Sequence, residues 1–132
     1  AKKAFSLIDD SNYELKVLEN VPNDQMALYF NAADLVLLTS LWEGSPNVIK
    51  EAMACNRPIL STDVGDVSIL LHNVVGCEII KEDVQDLANK IISYLEKYPN
   101  SDGRKKIKLL KIDSESIAFK IIKLYKEVKY GK

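Results

Sequence analysis

The sequence predicts an α/β fold built on a doubly wound parallel sheet. Short apolar runs alternate along the chain with longer amphipathic stretches, which is typical of repeated strand–helix–strand units. The stretch 34–39 has a continuously apolar centre, as expected of a strand covered on both faces. Of the 132 residues, 47% are hydrophobic and 28% are charged, which fits one globular domain and excludes a disordered or collagen-like chain.

The first strand and the first helix are predicted upstream of this apolar stretch. Residues 14–18 alternate polar and apolar side chains, which predicts a short strand. Asn23 and Asp24 offer a cap for the helix that follows. The apolar residues of that helix recur with the spacing of a single face, and they are Met26, Tyr29, Phe30 and Ala33.

A second helix is predicted directly after the apolar strand. Ser45 and Pro46 are typical of a helix start, because a capping side chain is followed by proline at the first helical position. We expect the helix to end near Cys55, since the residue before Pro58 disfavours a helical backbone. The side chains expected to face the sheet are Val48, Ala52 and Met53.

Two further strands complete the predicted sheet, at residues 59–62 and 76–80. Gly65 lies in the loop after the first of them, and residues 67–71 are predicted to form a short helix between the two. Connections between parallel strands cross over the sheet with one handedness, so that helices cover its faces.

The rest of the chain has no strand signal and predicts helices at 83–97, 104–110 and 114–128. In the first of these, the residues expected to face inward are Leu87, Ile91, Ile92 and Leu95. In the last, the expected inward stripe is Ile117, Ile121, Tyr125 and Val128. The lysines expected to point outward from that helix are Lys120, Lys123, Lys126 and Lys129.

Charge is distributed unevenly along the chain. The net charge is −1, but residues 104–132 contain ten Lys or Arg against three acids, a balance of +7, so residues 1–103 carry −8. A basic stretch of this kind can face nucleic acid, anionic lipid or a neighbouring domain. A solvated helix face is the simplest interpretation, and we expect no nucleic-acid partner.

The remaining composition excludes several classes of protein. Cys55 and Cys77 lie among apolar neighbours and predict buried thiols, not a disulfide framework. A single histidine and no Cys-x-x-Cys pair give no indication of a metal cluster. The aliphatic run at 35–38 is far shorter than the roughly 20 residues that span a membrane, and residues 1–10 lack the core of a signal peptide. We therefore expect a soluble, cytoplasmic protein.

Ligands of parallel α/β folds bind at the carboxyl ends of the strands, which selects the predicted loops at 19–24, 40–47 and 63–68. The middle loop carries the most chemistry. Glu43 follows the apolar strand, and Gly44 lets the backbone approach a ligand closely. An ionised carboxylate accepts hydrogen bonds from the adjacent hydroxyls of a sugar.

The helix that opens at Ser45 and Pro46 adds an anion site beside this carboxylate. The first turn of a helix has free N–H groups and the positive end of the helix dipole, which together favour phosphate. The N–H groups concerned belong to Ser45, Asn47 and Val48. Asn47 and Glu51 are four residues apart and share one helix face. Two carboxylates, an amide and a positive backbone end predict a site for a nucleotide sugar.

Residues 43–54 read Glu-Gly-Ser-Pro-Asn-Val-Ile-Lys-Glu-Ala-Met-Ala and are followed by Arg57, Pro58 and Ile59. This segment resembles the signature of glycosyltransferase family 4, in which two Glu flank seven residues and precede Ala-Met-Ala and a strand opened by Pro. The further positions that resemble the family are Val21, Pro22, Tyr29, Ala32–Asp34, Thr62–Gly65, Tyr125 and Val128. The resemblance covers nearly the whole chain.

The resemblance implies a GT-B enzyme, in which two Rossmann-like domains face each other across a cleft. Residues 1–132 would be the single carboxyl-terminal, nucleotide-sugar-binding domain, lacking its first strand or strands, with a basic helical tail at about 104–132. The enzyme would move a hexose, with retention, from a nucleotide diphosphate sugar to a glycan or lipid-linked hydroxyl acceptor. Cell-surface polysaccharide synthesis is the expected setting, and this chain alone is expected to be inactive.

The resemblance also implies roles for individual residues. Glu43 would be the catalytic residue and contact hydroxyls of the donor sugar. The residues that would line the sugar and the diphosphate are Gly44, Ser45, Pro46, Asn47 and Val48. Glu51 would bind the ribose hydroxyls, and Asn20 and Val21 would border the base. Such enzymes need no metal and no cofactor, because protein donors hold the diphosphate.

The chain departs from the family in two respects. In the family, an Arg and a Lys from the first strands of this domain grip the diphosphate, and we expect that residues 1–132 include neither these strands nor the amino-terminal acceptor domain. If the first strand is absent, an edge of the sheet is exposed to pairing. The family loop Gly-x-Pro-Glu is replaced at 65–68 and beyond by Gly-Asp-Val-Ser-Ile, so contacts from this loop are not implied.

Two other functions fit parts of the sequence. A non-catalytic nucleotide- or glycan-binding module is the main alternative to a transferase. A receiver-like domain has the right size but requires a phosphorylatable Asp at the end of a central strand, whereas the apolar strand ends in Thr39 and Ser40. The lysines of the last helix also suggest a peripheral contact with the inner membrane surface, against the simpler possibility that this helix packs on protein.

Overall fold

The computed structural model describes residues 1–9 and 12–131. Its sheet has three parallel strands in the order β1-β2-β3, with bounds Val36–Leu38, Ile59–Thr62 and Cys77–Ile80. The helices are α1 (Lys2–Phe5), α2 (Asn23–Ala32), α3 (Asn47–Ala54), α4 (Val67–Leu71), α5 (Val84–Lys97), α6 (Gly103–Leu110) and α7 (Ser114–Tyr130). The predicted α/β class is confirmed, as part of a Rossmann-like domain.

The central strand β2 is buried along its whole length and sends alternate side chains to two separate cores. Ile59 pairs with Val36 of β1 and with Cys77 of β3, which fixes the register of the sheet. Ile59 packs into one hydrophobic cluster and Leu60 into the other. This two-sided burial is the pattern expected of a strand with helices over both faces.

The larger core lies under helices α2, α3, α4 and α6, and the smaller one under α1 and α5. Ile49 and Met53 of α3 are completely buried in the larger core. Leu87 and Ile91 of α5 are buried in the smaller one, as predicted. The other inward positions predicted for α5, Ile92 and Leu95, are half-buried.

The strand predicted at 14–18 is wrong, because residues 13–19 form no regular structure. Val17 is exposed, while Leu15 and Leu18 are half-buried. Alternation determines which side chains share a face, but a strand also needs a neighbouring backbone to pair with. The strand predicted at 34–39 is shortened for the same reason, since only Val36–Leu38 pair with β2.

Two predicted helix caps are also wrong. Pro22 and not Asn23 is the cap of α2, and Pro46 and not Ser45 is the cap of α3, and neither cap makes a side-chain hydrogen bond. The hydroxyl of Ser45 donates instead to the carboxylate of Asp66, 2.7 Å away. A tertiary hydrogen bond has therefore replaced the local one that the sequence predicted.

The inward stripe predicted for the last helix is wrong as well. Helix α7 has no buried residue, and Val128 is 78% exposed. The other predicted stripe residues, all exposed, are Ile117, Ile121 and Tyr125. The spacing of apolar residues defines a face, but the described part of the chain supplies no surface to cover it. None of the described helices is long and apolar enough to cross a membrane.

Cys55 and Cys77 are free thiols that are half-buried, not fully buried as predicted. Burial nevertheless raises the pKa of the Cys77 thiol to about 11, which keeps it protonated at neutral pH. Beside it on β3, hydrogen bonds from Lys90 and then from Tyr94 lower the pKa of Glu78. Tyr94 donates to Glu78 over 2.7 Å, so burial and this carboxylate raise the pKa of the phenol. The hydrogen bonds of Glu78 with Lys90 and Tyr94 join β3 to α5 and lie outside the predicted site.

Candidate functional site

Two loops leave the carboxyl ends of neighbouring strands and meet in space. The first loop, residues 39–46, follows β1, and the second loop, residues 63–66, follows β2. Where they begin, the hydroxyl of Thr62 donates to the carbonyl oxygen of Ser40 over 2.6 Å. The motif predicted from the sequence is therefore anchored at the edge of the sheet where ligands of parallel α/β folds bind.

The backbones of the two loops come close together at Gly65 and Gly44. Gly65 has φ +56°, and a Cβ atom built on it would lie 2.0 Å from the carbonyl oxygen of Gly44 and 3.0 Å from that of Glu43. Only glycine tolerates both this left-handed backbone and this separation. The backbone of the second loop therefore supports the backbone of the first directly.

A chain of polar side chains joins the same two loops. Ser45 donates from its hydroxyl to Oδ2 of Asp66 over 2.7 Å, and Nζ of Lys50 in α3 donates to the hydroxyl of Ser45. Sequence reasoning did not identify Asp66 or Lys50 as site residues. The sequence offered one indication, which is that residues 65–69 depart from the family loop. The hydrogen bond between Ser45 and Asp66, which are 21 residues apart, depends on how the two loops cross, and the sequence does not show this crossing.

The structure brings the motif residues together on the first loop and the first turn of α3. Glu43, Gly44 and Ser45 are exposed in the loop, and Pro46 is buried beneath them. Asn47 and Glu51 are exposed on one face of α3, and Val48 is half-buried. In this first turn the N–H of Ile49 donates to the carbonyl of Pro46 over 3.2 Å. The exposed carboxylates, the amide and the helix start thus form one surface.

Asn20 and Val21 lie apart from this surface in the chain, just before α2. Asn20 is exposed and has a left-handed backbone with φ 55°, whereas Val21 is half-buried. Helix α2, which starts after Pro22, contacts α3. The packing of α2 on α3 relates these two residues to the motif.

A cleft of about 410 Å³ opens at the same edge of the sheet. Thr39 and Thr62 line it at the ends of β1 and β2, and residues 80–84 line it at the end of β3 and just after it. Residues 1–4, which include α1, form the opposite wall. None of the predicted site residues lines this cleft.

The described residues contain no group of three His, Cys, Asp or Glu side chains that could hold a metal ion. The expectation that transfer needs no metal stays a prediction. What the site does offer is a pair of exposed carboxylates and the amino end of an eight-residue helix. Such groups bind hydroxyls and anions without a bridging cation.

Comparison with known proteins gives the same assignment as the motif. A family model described as glycosyl transferases group 1 matches residues 2–97. TuaC of Bacillus subtilis (strain 168), named as a teichuronic acid biosynthesis glycosyltransferase, is 42% identical over 78 residues, which are 59% of this chain and 20% of that protein. The chain thus spans about a fifth of the length of this relative. No solved structure matches the chain. The chain belongs to the group 1 glycosyl transferases.

Proposed function

We propose that residues 1–132 are the donor-binding, carboxyl-terminal domain of a retaining glycosyltransferase. The full-length enzyme transfers a hexose from a nucleotide diphosphate sugar to a hydroxyl of a glycan or lipid-linked acceptor. The bond between the anomeric carbon and the diphosphate breaks, a bond to the acceptor oxygen forms, and the acceptor hydroxyl passes its proton to the leaving diphosphate. The rest of the protein supplies the acceptor domain and the basic residues that grip the diphosphate.

The observation that carries this proposal is the position of the motif in the fold. Glu43 lies in the loop directly after β1, and the same loop leads into the amino end of α3. A carboxylate suited to sugar hydroxyls is therefore next to a helix end suited to phosphate. The name of the relative TuaC supports a role in the synthesis of a cell-surface polysaccharide.

Each motif residue has a separate role in the proposal. Glu43 accepts hydrogen bonds from the donor sugar, and Glu51 accepts them from the ribose. The residues that line the sugar and the diphosphate are Gly44, Ser45, Pro46, Asn47 and Val48. Asn20 and Val21 border the base. Because these donors and acceptors are supplied by the protein, transfer proceeds without a metal.

Titration of the full-length protein with UDP, GDP and ADP tests the donor site. We expect one nucleotide to shift the backbone amide resonances of residues 44–51 and 20–21. Glu51→Ala should weaken its binding about 10- to 100-fold, because hydrogen bonds to a charged group contribute about 1.5–3 kcal/mol. The measurement is a two-dimensional amide spectrum recorded at increasing nucleotide concentration.

Glu96→Ala is the matched control for this titration, because Glu96 is an exposed glutamate of a helix on the other face of the sheet. It should leave nucleotide affinity unchanged. Amide shifts that lie elsewhere, or an unaltered affinity in Glu51→Ala, would contradict the assignment of the ribose site.

We also propose that α7 contacts the anionic inner surface of the membrane, so that the enzyme is cytoplasmic and peripheral. Ile117, Ile121 and Val128 share one exposed helix face, and Lys120 and Lys129 lie on either side of it. An apolar face bordered by lysines is typical of helices that lie in the headgroup region. The net charge of +7 over residues 104–132 complements anionic lipid.

Sedimentation with vesicles tests the membrane contact. The full-length protein should sediment with phosphatidylglycerol vesicles and not with phosphatidylcholine vesicles, and added salt should release it because salt screens the attraction. Replacing the lysines that flank the apolar face, Lys120 and Lys129, with glutamine should weaken vesicle affinity about 30-fold, since each basic residue contributes about 1 kcal/mol. Sedimentation without preference for anionic lipid would rule out this contact.

A further inference from the structure

The side chain of Asp66, which joins the two loops, is placed at a cost to stability. Within residues 1–9 and 12–131, the second oxygen of Asp66, Oδ1, is buried and has no hydrogen-bond partner. A buried acceptor without a partner is destabilising. Its other oxygen, Oδ2, accepts the hydroxyl of Ser45. The side-chain hydrogen bond that Asp66 does make is therefore the one with the first loop.

Lys50 completes this link from the opposite side. Its ammonium group donates to the hydroxyl of Ser45, which in turn donates to Asp66. A cation and an anion are thus joined through one hydroxyl, and a hydrogen bond to an ionised group is about twice as strong as a neutral one. The orientation of Ser45 is fixed by groups from the second loop and from α3.

We propose that Asp66 and Lys50 are positioning residues for the donor site, acting through the side chain of Ser45. The inference rests on the proposed function, because the first loop carries Glu43 and leads into the phosphate-binding turn. With the link intact, Glu43 and the N–H groups after Pro46 keep one geometry before the donor arrives. Without it, the first loop must be ordered when the donor binds, which lowers affinity.

The charge of Lys50 has a second consequence. Asp66 places a negative charge beneath a loop that is proposed to bind a diphosphate, and this repels the donor. Lys50, joined to it through Ser45, offsets that charge. Loss of Lys50 should therefore be more harmful when Asp66 is present than when it is replaced by asparagine. A merely structural role would show this dependence in the melting temperature but not in the KM for the nucleotide sugar.

A double-mutant cycle in the full-length enzyme tests the link. Ser45→Ala and Asp66→Ala should each raise the KM for the nucleotide sugar about tenfold with a smaller change in kcat, as expected when ground-state binding is lost. The double variant should be no worse than Ser45→Ala alone, since Ser45→Ala already removes the hydrogen bond to Asp66. Asp66→Asn keeps an acceptor and should stay within about threefold of wild type. Lys50→Met should raise KM as well, and adding Asp66→Asn should recover part of the loss.

Asp102→Ala is the matched control. Oδ1 of Asp102 accepts a hydrogen bond from the N–H of Val75 over 2.8 Å, near the amino end of β3 and away from both loops. This variant loses a comparable carboxylate contact and should change the melting temperature but not KM. An equal rise in KM in the control would mean that the effect is general destabilisation and would overturn the proposal.

The remaining outcomes separate this inference from the function on which it rests. Additive effects of Ser45→Ala and Asp66→Ala, or an unchanged KM in both, would overturn the positioning role while leaving the donor site intact. A wild-type enzyme that neither binds nor uses a nucleotide sugar would overturn both proposals together. Non-additive KM values with recovery in the Lys50→Met, Asp66→Asn pair would establish the link.

Discussion

Replacing Gly65 with alanine is expected to destabilise the domain by about 2–5 kcal/mol and to displace the first loop. A left-handed backbone costs a residue with a Cβ about 1–2 kcal/mol, and forcing extra atoms into a packed region costs about 1–3 kcal/mol more. The atom that the new Cβ would meet, 2.0 Å away, is the carbonyl oxygen of Gly44. Because this atom belongs to the backbone, the clash is relieved only if one loop moves.

Two other glycines separate the contributions to this effect. Gly131 has the same φ of +56° but open space where a Cβ would stand, so Gly131→Ala measures backbone strain without a clash. Gly44 also has open space, so Gly44→Ala tests an added methyl in the first loop itself. Gly131→Ala should lower the free energy of unfolding by about 1–2 kcal/mol, and Gly44→Ala should change it by about 1 kcal/mol or less, both measured by urea denaturation with circular dichroism.

Gly65→Asn distinguishes a clash from conformational strain. Asparagine accepts a left-handed backbone better than most residues, as Asn20, Asn56 and Asn73 do in this chain. It nevertheless carries a Cβ, so it should destabilise the domain nearly as much as alanine. If Gly65→Asn were as stable as wild type, the close approach of Gly65 to Gly44 would not be the reason for glycine at this position.

The elements that the sequence predicts best are those delimited by local chemistry. Strand β2 has the predicted bounds 59–62, and α4 the predicted bounds 67–71. Pro58 stands immediately before β2 and Gly65 shortly before α4, so a proline and a glycine mark where these apolar segments begin. Helices α3 and α5 differ from prediction by a residue or two, because each also has a local start or stop signal.

The elements that fail are those that depend on a partner distant in sequence. Residues 14–18 have the alternation of a strand but no paired neighbour, and α7 has an apolar face but no covering surface within the described residues. Burial is a property of the contact between two surfaces, and a pattern in one segment describes only one of them. The amphipathic pattern predicted for α7 is therefore present, and only the prediction that its apolar face is buried is wrong.

The candidate site shows the same division. The motif at 43–51 identifies the loop and helix that carry the carboxylates, since residue types and spacing are local information. The link from Ser45 to Asp66 was not predicted, because Ser45 looked like a helix cap and formed a tertiary hydrogen bond instead. Glycine at position 65 was itself an indication of a positive φ, but nothing in the sequence indicated that Gly65 lies close to Gly44.

Replacing Glu43 with glutamine is expected to lower the kcat/KM of the full-length enzyme about 100- to 1,000-fold while leaving stability unchanged. Glu43 is exposed in the first loop, and substitutions at exposed positions usually change stability by about 0.5 kcal/mol or less. Glutamine keeps the size of the side chain but loses the charge. In the proposed reaction, this carboxylate would accept hydrogen bonds from sugar hydroxyls most strongly when positive charge develops on the transferred sugar, so the loss should fall mainly on kcat.

Glu82→Gln is the matched control, because Glu82 is an exposed glutamate in the loop after β3, at the same edge of the sheet. Both variants should melt at the wild-type temperature, and only Glu43→Gln should lose transfer, measured as the release of nucleoside diphosphate. A loss confined to KM would make Glu43 a binding residue for the ground state. Equal activity of wild type and Glu43→Gln would remove Glu43 from the reaction altogether, because no change in folding could hide a catalytic role at so exposed a position.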